Sequence, residues 1–289
     1  MILSFHPCFT ADTNLIVAGR DPGREELAAI RSATAVILPQ GCRETLYTMA
    51  VENCDHVFPD YHARFHYPGK TGQAALFKKI NAPFPLTRTY RSLADFYEKH
   101  RPDDDPPPIP YPLVFKFDWG GEGQTVFLVK SRQDLARQLD SAAAFEKTGH
   151  AGFLLQAYVP HDNRALRVAV INRQLVTYWR VQPSAQTFGT SLASGARIDP
   201  DSDPDLQALG KEAVRRVCAQ TGINLAGFDV IFDPSAPGPA PRLLEINYFF
   251  GRSGLGGSEA FYQLLVPQIE NWLADQKPAS PSASRCPLK

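Results

Sequence analysis

The sequence predicts an α/β protein that begins with a small parallel α/β domain and comprises two or three subdomains. Three observations predict this fold class. Short apolar runs alternate with helical patterns over residues 1–68, two hairpin patterns follow further along the chain, and two apolar strands carrying polar residues lie near its end. The chain has 289 residues, 44% of them hydrophobic, which is enough for a large core divided between subdomains.

The first 68 residues alternate strand and helix patterns. The apolar runs 15–18 and 35–38 predict buried strands, and segments 24–32 and 42–53 predict helices. Strands that alternate with helices favour a parallel sheet, since a parallel pair needs a crossover connection.

The middle of the chain is divided by proline. An amphipathic helix over 70–79 stops before Asn81-Ala-Pro-Phe-Pro, where proline favours extended chain. A second helix, over 92–100, ends at the charged, proline-rich segment 101–108, which is typical of a surface connection.

The remaining patterns predict hairpins, helices and a tail. Glycine after Thr221 predicts the end of a long helix, because glycine readily adopts the left-handed conformation that closes helices. The predicted strands are 113–117, 124–129, 153–159, 166–171, 175–180, 228–232 and 243–247, and the predicted helices are 131–145, 206–221 and 261–273. The charged, proline-rich segment 101–108 predicts a subdomain boundary near it, and the Pro/Ser/Ala-rich tail over 277–289 predicts disorder.

Composition excludes several classes of function. Lys plus Arg and Asp plus Glu each number 30, so the neutral chain has no general electrostatic attraction to nucleic acid or anionic membrane. Five scattered cysteines without a CxxC pair argue against a disulfide framework and fit a reducing compartment. No signal-peptide pattern and no membrane-length apolar run is visible. We therefore expect a cytoplasmic protein without nucleic-acid or membrane partners.

The last two predicted strands carry a candidate metal site. Asp229 lies early in an apolar strand, and Glu245 and Asn247 are two residues apart, so both face the same side of theirs. Carboxylate and amide oxygens suit Mg²⁺, which shares its ligands with nucleotide phosphates. Ordinary polarity at the edge of a strand is the alternative.

A lysine at the end of a strand precedes a glycine-rich turn. Lys116 is followed by Gly120, Gly121 and Gly123, whose backbone N–H groups can approach phosphate closely. The turn belongs to a hairpin, because no Lys-Ser/Thr pair follows the glycines as in a Walker loop.

The strand 153–159 runs into Pro160, and free backbone groups at its edge could pair with an adenine base. On these residues alone, a plain core strand is the alternative.

Together these motifs resemble the ATP-grasp superfamily. The branch with the greatest likeness holds ribosomal-protein glutamate ligases, glutathione synthetases and D-alanine–D-alanine ligases, and the resemblance covers residues from about 70 to 273. It implies an ATP-grasp fold, in which a domain formed by 1–68 is followed along the chain by two α+β subdomains, 69–155 and 156–276, that grip ATP.

The resemblance also implies roles for individual residues. Lys70 and Lys116 would contact phosphates, and Gly120, Gly121, Glu122 and Gly123 would form a lid over the triphosphate. Gln156, Ala157, Tyr158 and Val159 would form the adenine hinge, with backbone groups of Ala157 and Val159 contacting the base, and Asp162 or Asn163 would bind the ribose. Arg167 and Arg180 would line the acyl-phosphate site, Asp229, Glu245 and Asn247 would bind magnesium, and Gly251 and Arg252 would belong to the substrate loop.

The implied activity is ATP-dependent ligation of a carboxylate to an amine through an acyl phosphate. Two Mg²⁺ ions, replaceable by Mn²⁺, small-molecule or peptide substrates, and a homodimer are the family-level expectations. Ala165 and Ser191 depart from the family, which often has Asp and Asn there. These departures leave open an alternative, a catalytically silent ATP-binding sensor or scaffold.

Two further patterns have competing interpretations. Gly69-Lys70-Thr71 ends like a P-loop, but Arg64 stands where its first glycine would be. A second pattern could indicate a zinc site formed by Cys54, His56, His62 and His66. Their spacing fits no standard zinc finger, so ordinary polar positions are the simpler interpretation.

Overall fold

The structure, a computed structural model, describes residues 1–100, 107–121, 123–184, 186–233 and 236–276. The predicted tail 277–289, most of the proline-rich segment and Glu122 of the predicted lid therefore lie outside the described residues. The helices are α1 (Arg24–Ser32), α2 (Glu44–Asn53), α3 (His62–His66), α4 (Gly69–Lys79), α5 (Leu93–Lys99), α6 (Arg132–Glu146), α7 (Pro204–Thr221) and α8 (Gly257–Asp275). The strands are β1 (Ile2–Ser4), β2 (Thr13–Asn14), β3 (Ala35–Ile37), β4 (Val57–Phe58), β5 (Thr87–Tyr90), β6 (Leu113–Phe117), β7 (Val126–Val129), β8 (Phe153–Ala157), β9 (Arg164–Ile171), β10 (Gln174–Val181), β11 (Arg197–Asp199), β12 (Leu225–Asp233) and β13 (Ala240–Asn247).

Contacts divide the chain into two compact units. Among the described residues, unit 1 comprises Met1–Pro59, Ile171–Gln174 and residues 255–276, and unit 2 comprises those within Asp60–Val170 and Leu175–Gly254. The domain limits 1–68, 69–155 and 156–276 stay a prediction. No helix of the described chain combines the length and the apolar character needed to cross a bilayer.

Unit 1 is built on a four-stranded parallel sheet of order β2-β1-β3-β4. Helix α8, from the last part of the chain, also belongs to this unit, and its Trp272 ring lies 5.5 Å from that of Phe58. The parallel sheet predicted for the start of the chain is confirmed.

One predicted strand of unit 1 is wrong. Residues 15–18 form no strand; the strand is β2, which ends at Asn14, and the side chain of Ile16 is 72% exposed. The reason is a turn in which Ala18 and Gly19 have φ values of 48° and 77°, a left-handed conformation that no strand can contain.

Unit 2 contains two antiparallel sheets, the first of order β5-β8-β6-β7. One of its faces packs on α5 and α6 through an aromatic core, in which the rings of Phe115 and Phe153 stack at 4.8 Å. Serines cap both helices: the hydroxyl groups of Ser92 and Ser131 accept hydrogen bonds from the first-turn N–H groups. The opposite face of the sheet is left for other contacts.

The second sheet of unit 2 has five strands, in the order β11-β10-β9-β12-β13. Helix α7 packs against it so closely that a Cβ on Gly210 would lie 2.4 Å from Cδ2 of Leu166. The helix ends at Gly222, which has φ of 76° and confirms the predicted C-cap. The elements absent from the sequence-based prediction are short, the longest being α3 with five residues.

The close approach of α7 to β9 gives a test of the packing. We expect Gly210→Ala to destabilise the protein by about 1–3 kcal/mol, because the added methyl group overlaps Leu166. In an open helix the same change would stabilise by up to about 1 kcal/mol, so the sign is decisive. Urea unfolding of the variant alone and in a Leu166→Ala background measures the effect, and an equal loss in both backgrounds would contradict this packing.

Candidate active site

A pocket of about 540 Å³ lies in unit 2, lined by one face of each antiparallel sheet. Because side chains alternate along a strand, residues two apart share this face. The five-stranded sheet contributes Ala165, Arg167, Tyr178, Arg180, Asp229, Ile231, Leu244, Glu245 and Asn247, and the four-stranded sheet contributes Val114, Lys116, Val126 and Gln156.

A buried ion-pair network occupies the five-stranded face. Nε of Arg167 donates to Oδ1 of Asp229 at 2.6 Å, and Nη2 of Arg180 lies 2.7 Å from Oδ2 of the same carboxylate. Nδ2 of Asn247 donates to this Oδ2 at 3.3 Å. Nε of Arg180 is buried and makes no hydrogen bond with the described residues. The carboxylate of Asp229 therefore pairs with both arginines, and Arg180 keeps its Nε–H group for another acceptor.

The environment sets the charge of the two acidic residues. Burial alone would raise the pKa of the Asp229 carboxyl, but the charges and hydrogen bonds of Arg167 and Arg180 outweigh it, so this pKa is lowered. Burial and the nearby charge of Asp229 raise the pKa of Glu245, although Lys70 and Lys116 oppose them. The side-chain carboxylate of Glu245 makes no hydrogen bond or ion pair within the described chain.

The pairing of β12 with β13 brings the acidic residues together. Asp229 lies directly opposite Glu245, and Gly227 lies opposite Asn247. The register shifts just after Asp229, a β-bulge that turns the consecutive residues Leu244 and Glu245 both toward the pocket.

Gly227 leaves the space that the network needs. A Cβ there would lie 2.9 Å from Nη1 of Arg167 and 3.0 Å from Cβ of Phe250. The guanidinium group can therefore lie flat across β12 because this position has no side chain.

Lys116 lies across the pocket, on β6, and is almost fully buried. Burial lowers the pKa of its ammonium to about 8, a shift that Glu245 opposes and Lys70 reinforces. Lys70, on α4, donates from Nζ to the carbonyl oxygens of Trp119 and Gly120 at 3.1 and 2.9 Å. Burial also lowers the pKa of Lys70.

The described residues that line the pocket have a surplus of positive charge. They include the four cationic side chains of Lys70, Lys116, Arg167 and Arg180, but only two carboxylates, those of Asp229 and Glu245. A polyanion therefore suits this pocket electrostatically.

Strand β8 ends within the predicted adenine hinge, residues 156–159. The N–H of Ala157 already donates to the carbonyl oxygen of Leu86 at 2.8 Å, so it is not available to a base. The carbonyl oxygen of Val159 contacts Nδ1 of His161 at 2.9 Å, whereas the N–H of Val159 makes no hydrogen bond with the described residues. Gln156 is buried and donates to the hydroxyl of Thr87.

The oxygen atoms of Glu245 and Asn247, at the end of β13, fit a hard divalent cation. The Glu245 carboxylate has no competing partner within the described residues, and Asn247 uses its Nδ2 group toward Asp229, which leaves Oδ1 for a ligand. These oxygens lie beside the cationic groups that would receive phosphate. No three His, Cys, Asp or Glu side chains form a metal-binding group in the described chain, and the rings of His62 and His66 simply stack at 3.9 Å.

Most of the predicted site residues line this pocket. Those that do are Lys70, Lys116, Gly121, Gly123, Gln156, Ala157, Tyr158, Val159, Arg167, Arg180, Asp229, Glu245, Asn247 and Gly251. Gly120, Asn163 and Arg252 do not line it, and Asp162 lines a neighbouring cavity instead.

Several lining residues were absent from the sequence-based prediction. Tyr178 lies two residues before Arg180, so the period of two could have placed it on the same face. Phe188, Gly189 and Thr190 follow no regular period, and only the folded chain brings them to the pocket. Phe249, which also lines it, lies in the loop after β13 that was predicted to bind substrate.

Comparison with known proteins agrees with this geometry. A family model described as the RimK-like ATP-grasp domain matches residues 75–249. No curated protein matches the chain.

Solved structures share the fold at low sequence identity. An N5-carboxyaminoimidazole ribonucleotide synthetase in complex with ADP aligns with a TM-score of 0.58 at 11% identity, over 87% of this chain and 64% of that one. The chain thus spans less than two thirds of that enzyme. VanG D-Ala:D-Ser ligase from Enterococcus faecalis gives 0.59 at 16% identity, over 83% and 73%. A RimK domain ATP-grasp protein from Sphaerobacter thermophilus gives 0.55 at 13%, over 93% and 100%.

The ion-pair network predicts a large loss of stability on removal of its single carboxylate. We expect Asp229→Asn to lower the free energy of unfolding by about 3–5 kcal/mol, because two buried guanidinium groups would lose their counter-ion. Denaturant unfolding measures it, with the exposed Asp140→Asn as the matched control. A loss as small as that of the control would show that the arginines do not depend on Asp229.

The depressed pKa of Lys116 predicts a pH dependence of nucleotide binding. Its ammonium is charged below about pH 8 and loses the proton above it, so attraction for phosphate is present at pH 7 and fades at higher pH. We expect ADP affinity to fall about tenfold between pH 7 and pH 9. Calorimetry in buffers of different ionisation enthalpy would also detect proton uptake near pH 8.

Lys116→Arg provides the control, because arginine keeps its charge across this range. Its ADP affinity should stay level with pH. An equally steep fall in this variant would assign the pH dependence to another group.

Proposed function

The chain belongs to the RimK-like ATP-grasp family, and from this premise we propose that it is an ATP- and magnesium-dependent ligase that joins a carboxylate to an amine. The observation that carries the proposal is the arrangement of Arg180 in the pocket. Its Nη2 is paired with Asp229, while its buried Nε has no hydrogen-bond partner in the described chain. A buried charged donor without an acceptor favours binding of an anionic oxygen at this point.

The proposed reaction has two steps. A carboxylate oxygen attacks the γ-phosphorus of ATP, ADP leaves, and an acyl phosphate forms. The amine nitrogen then attacks the acyl carbon, inorganic phosphate leaves, and the amine loses a proton to solvent. Activation is needed because a carboxylate is a poor electrophile.

The chain's own residues have distinct parts in this scheme. Lys116 and Lys70 bind phosphate oxygens, and Arg167 and Arg180 stabilise negative charge on the transferred group and on the oxyanion formed by amine attack. Magnesium, or manganese in its place, would be held by Glu245, Asn247 and Asp229, and it supplies charge neutralisation on the phosphates.

Exclusion of water supports the same proposal, since acyl phosphates hydrolyse readily. A Cβ built on Gly123 would lie 3.8 Å from Cβ of Ser191, so the glycine loop lies close to segment 188–194 at the pocket. These two segments can shield a bound acyl phosphate.

The substrate end of the pocket is partly aromatic. Tyr178, Phe188, Phe249 and Phe250 line the pocket, and Phe249 is 72% exposed. We propose small-molecule or peptide substrates, with an apolar group that contacts Phe249.

The test measures ADP release with a panel of amino acids and dipeptides as carboxylates, and hydroxylamine as a general amine. We expect at least one carboxylate to stimulate ADP release and to yield its hydroxamate in equal amount. Arg180→Met should lower this rate about 100-fold, since it removes a donor to developing negative charge. Arg216→Met, an exposed change on α7, is the matched control.

ADP binding without carboxylate-stimulated release across the panel would favour the silent sensor or scaffold. If the protein turns over and Arg180→Met leaves the rate unchanged, the proposed ligase activity stands, but Arg180 has no part in its mechanism.

A further inference from the structure

The strand that carries Glu245 and Asn247 is an edge strand. In the order β11-β10-β9-β12-β13, one side of β13 pairs with β12, and no strand of the described residues pairs with its other side. The backbone groups on its outer side need other partners, because unpaired N–H and C=O groups are costly when they leave water.

The side chain of Gln73, on α4, supplies these partners at Ile246. Its Oε1 accepts from the N–H of Ile246 at 2.8 Å, and its Nε2 donates to the carbonyl oxygen of Ile246 at 2.8 Å. One carboxamide therefore replaces the pair of hydrogen bonds that a neighbouring strand would make. A second contact follows nearby, where the N–H of Leu243 donates to the carbonyl oxygen of Pro83 at 2.8 Å.

The position of these contacts matters for the candidate metal site. Ile246 is buried and lies between Glu245 and Asn247, whose side chains face the pocket. Because the hydrogen bonds of Gln73 fix both backbone groups of Ile246, they limit rotation of β13 about its own axis. Such rotation would change the directions in which the side chains of Glu245 and Asn247 point. Their oxygen atoms would then no longer face the same point.

Helix α4 is itself firmly placed. A Cβ on Gly72 would lie 2.4 Å from the backbone carbonyl carbon of Tyr67, so the helix packs tightly against the preceding chain. The N–H of Thr71 donates to Oδ1 of Asp118 at 2.7 Å, and Lys70 bonds the glycine loop. The same helix thus contacts the glycine loop through Lys70 and the metal-ligand strand through Gln73.

We propose that Gln73 is a positioning residue for the divalent cation at Glu245 and Asn247, acting through its paired hydrogen bonds to Ile246. The inference rests on the proposed function, because it assumes that a divalent cation binds at these residues. Groups that orient metal ligands in this way commonly change metal affinity 10- to 100-fold on removal.

The test uses Gln73→Met, which keeps the length of the side chain and removes both hydrogen bonds, and Gln73→Asn, which keeps the amide but is too short to make both. The change Gln133→Met, at an exposed position of α6, is the matched control. Two measurements are made on the full chain: direct Mn²⁺ binding without nucleotide, followed by electron paramagnetic resonance, and ADP binding at increasing Mg²⁺.

We expect Mn²⁺ affinity to fall about tenfold in both Gln73 variants, and the Mg²⁺ concentration that half-supports ADP binding to rise by a similar factor. ADP affinity without metal should stay within about twofold of the unchanged protein. A purely structural role would instead weaken ADP equally with and without metal. If thermal unfolding shows that one of the two Gln73 variants has lost its fold, the other variant provides the test.

The outcomes separate this inference from the proposed function. Unchanged Mn²⁺ affinity and Mg²⁺ dependence in folded Gln73 variants would overturn the role of Gln73 alone. A protein that binds ADP but no Mn²⁺ would overturn the metal site, and a protein that binds neither would overturn the proposed function as well.

Discussion

The Asp229 carboxylate is the interaction on which the pocket depends. It is buried, it pairs with Arg167 and Arg180, and it accepts a hydrogen bond from Asn247. Two buried guanidinium groups so close together are tolerable only because this carboxylate offsets their charge. The arrangement in turn requires Gly227, whose missing side chain makes room for Arg167.

The same network explains why the pocket suits nucleotide chemistry. Asp229 holds the arginines in place before any ligand arrives, which reduces the reorganisation needed when negative charge develops. Glu245 lies opposite Asp229 but has no such partners within the described chain, so the two acids differ in role although they are neighbours. The environment, more than residue type, separates a carboxylate that is paired with two arginines from one whose oxygens have no partner among the described residues.

Much of this arrangement could be predicted from the sequence, because local rules control it. The period of two placed Glu245 and Asn247 on one face, and the glycines after Lys116 predicted the hairpin loop.

Other features depend on contacts between distant parts of the chain. Gln73 looks like an ordinary helical residue until Ile246, 173 positions later, lies beside it. The inclusion of α8 in unit 1 and the engagement of the Ala157 N–H with Leu86 are likewise set by tertiary packing. The strand predicted over 15–18 failed because the left-handed turn at Ala18 overrode an apolar pattern.

The contacts along the outer side of β13 also bear on self-association. Exposed sheet edges can template the addition of a strand from another molecule, which leads to aggregation. Here the backbone groups of Ile246 and the N–H of Leu243 are already bonded to Gln73 and Pro83. A strand from another molecule would have to displace these hydrogen bonds before it could extend the sheet. They therefore protect this edge against strand addition and aggregation.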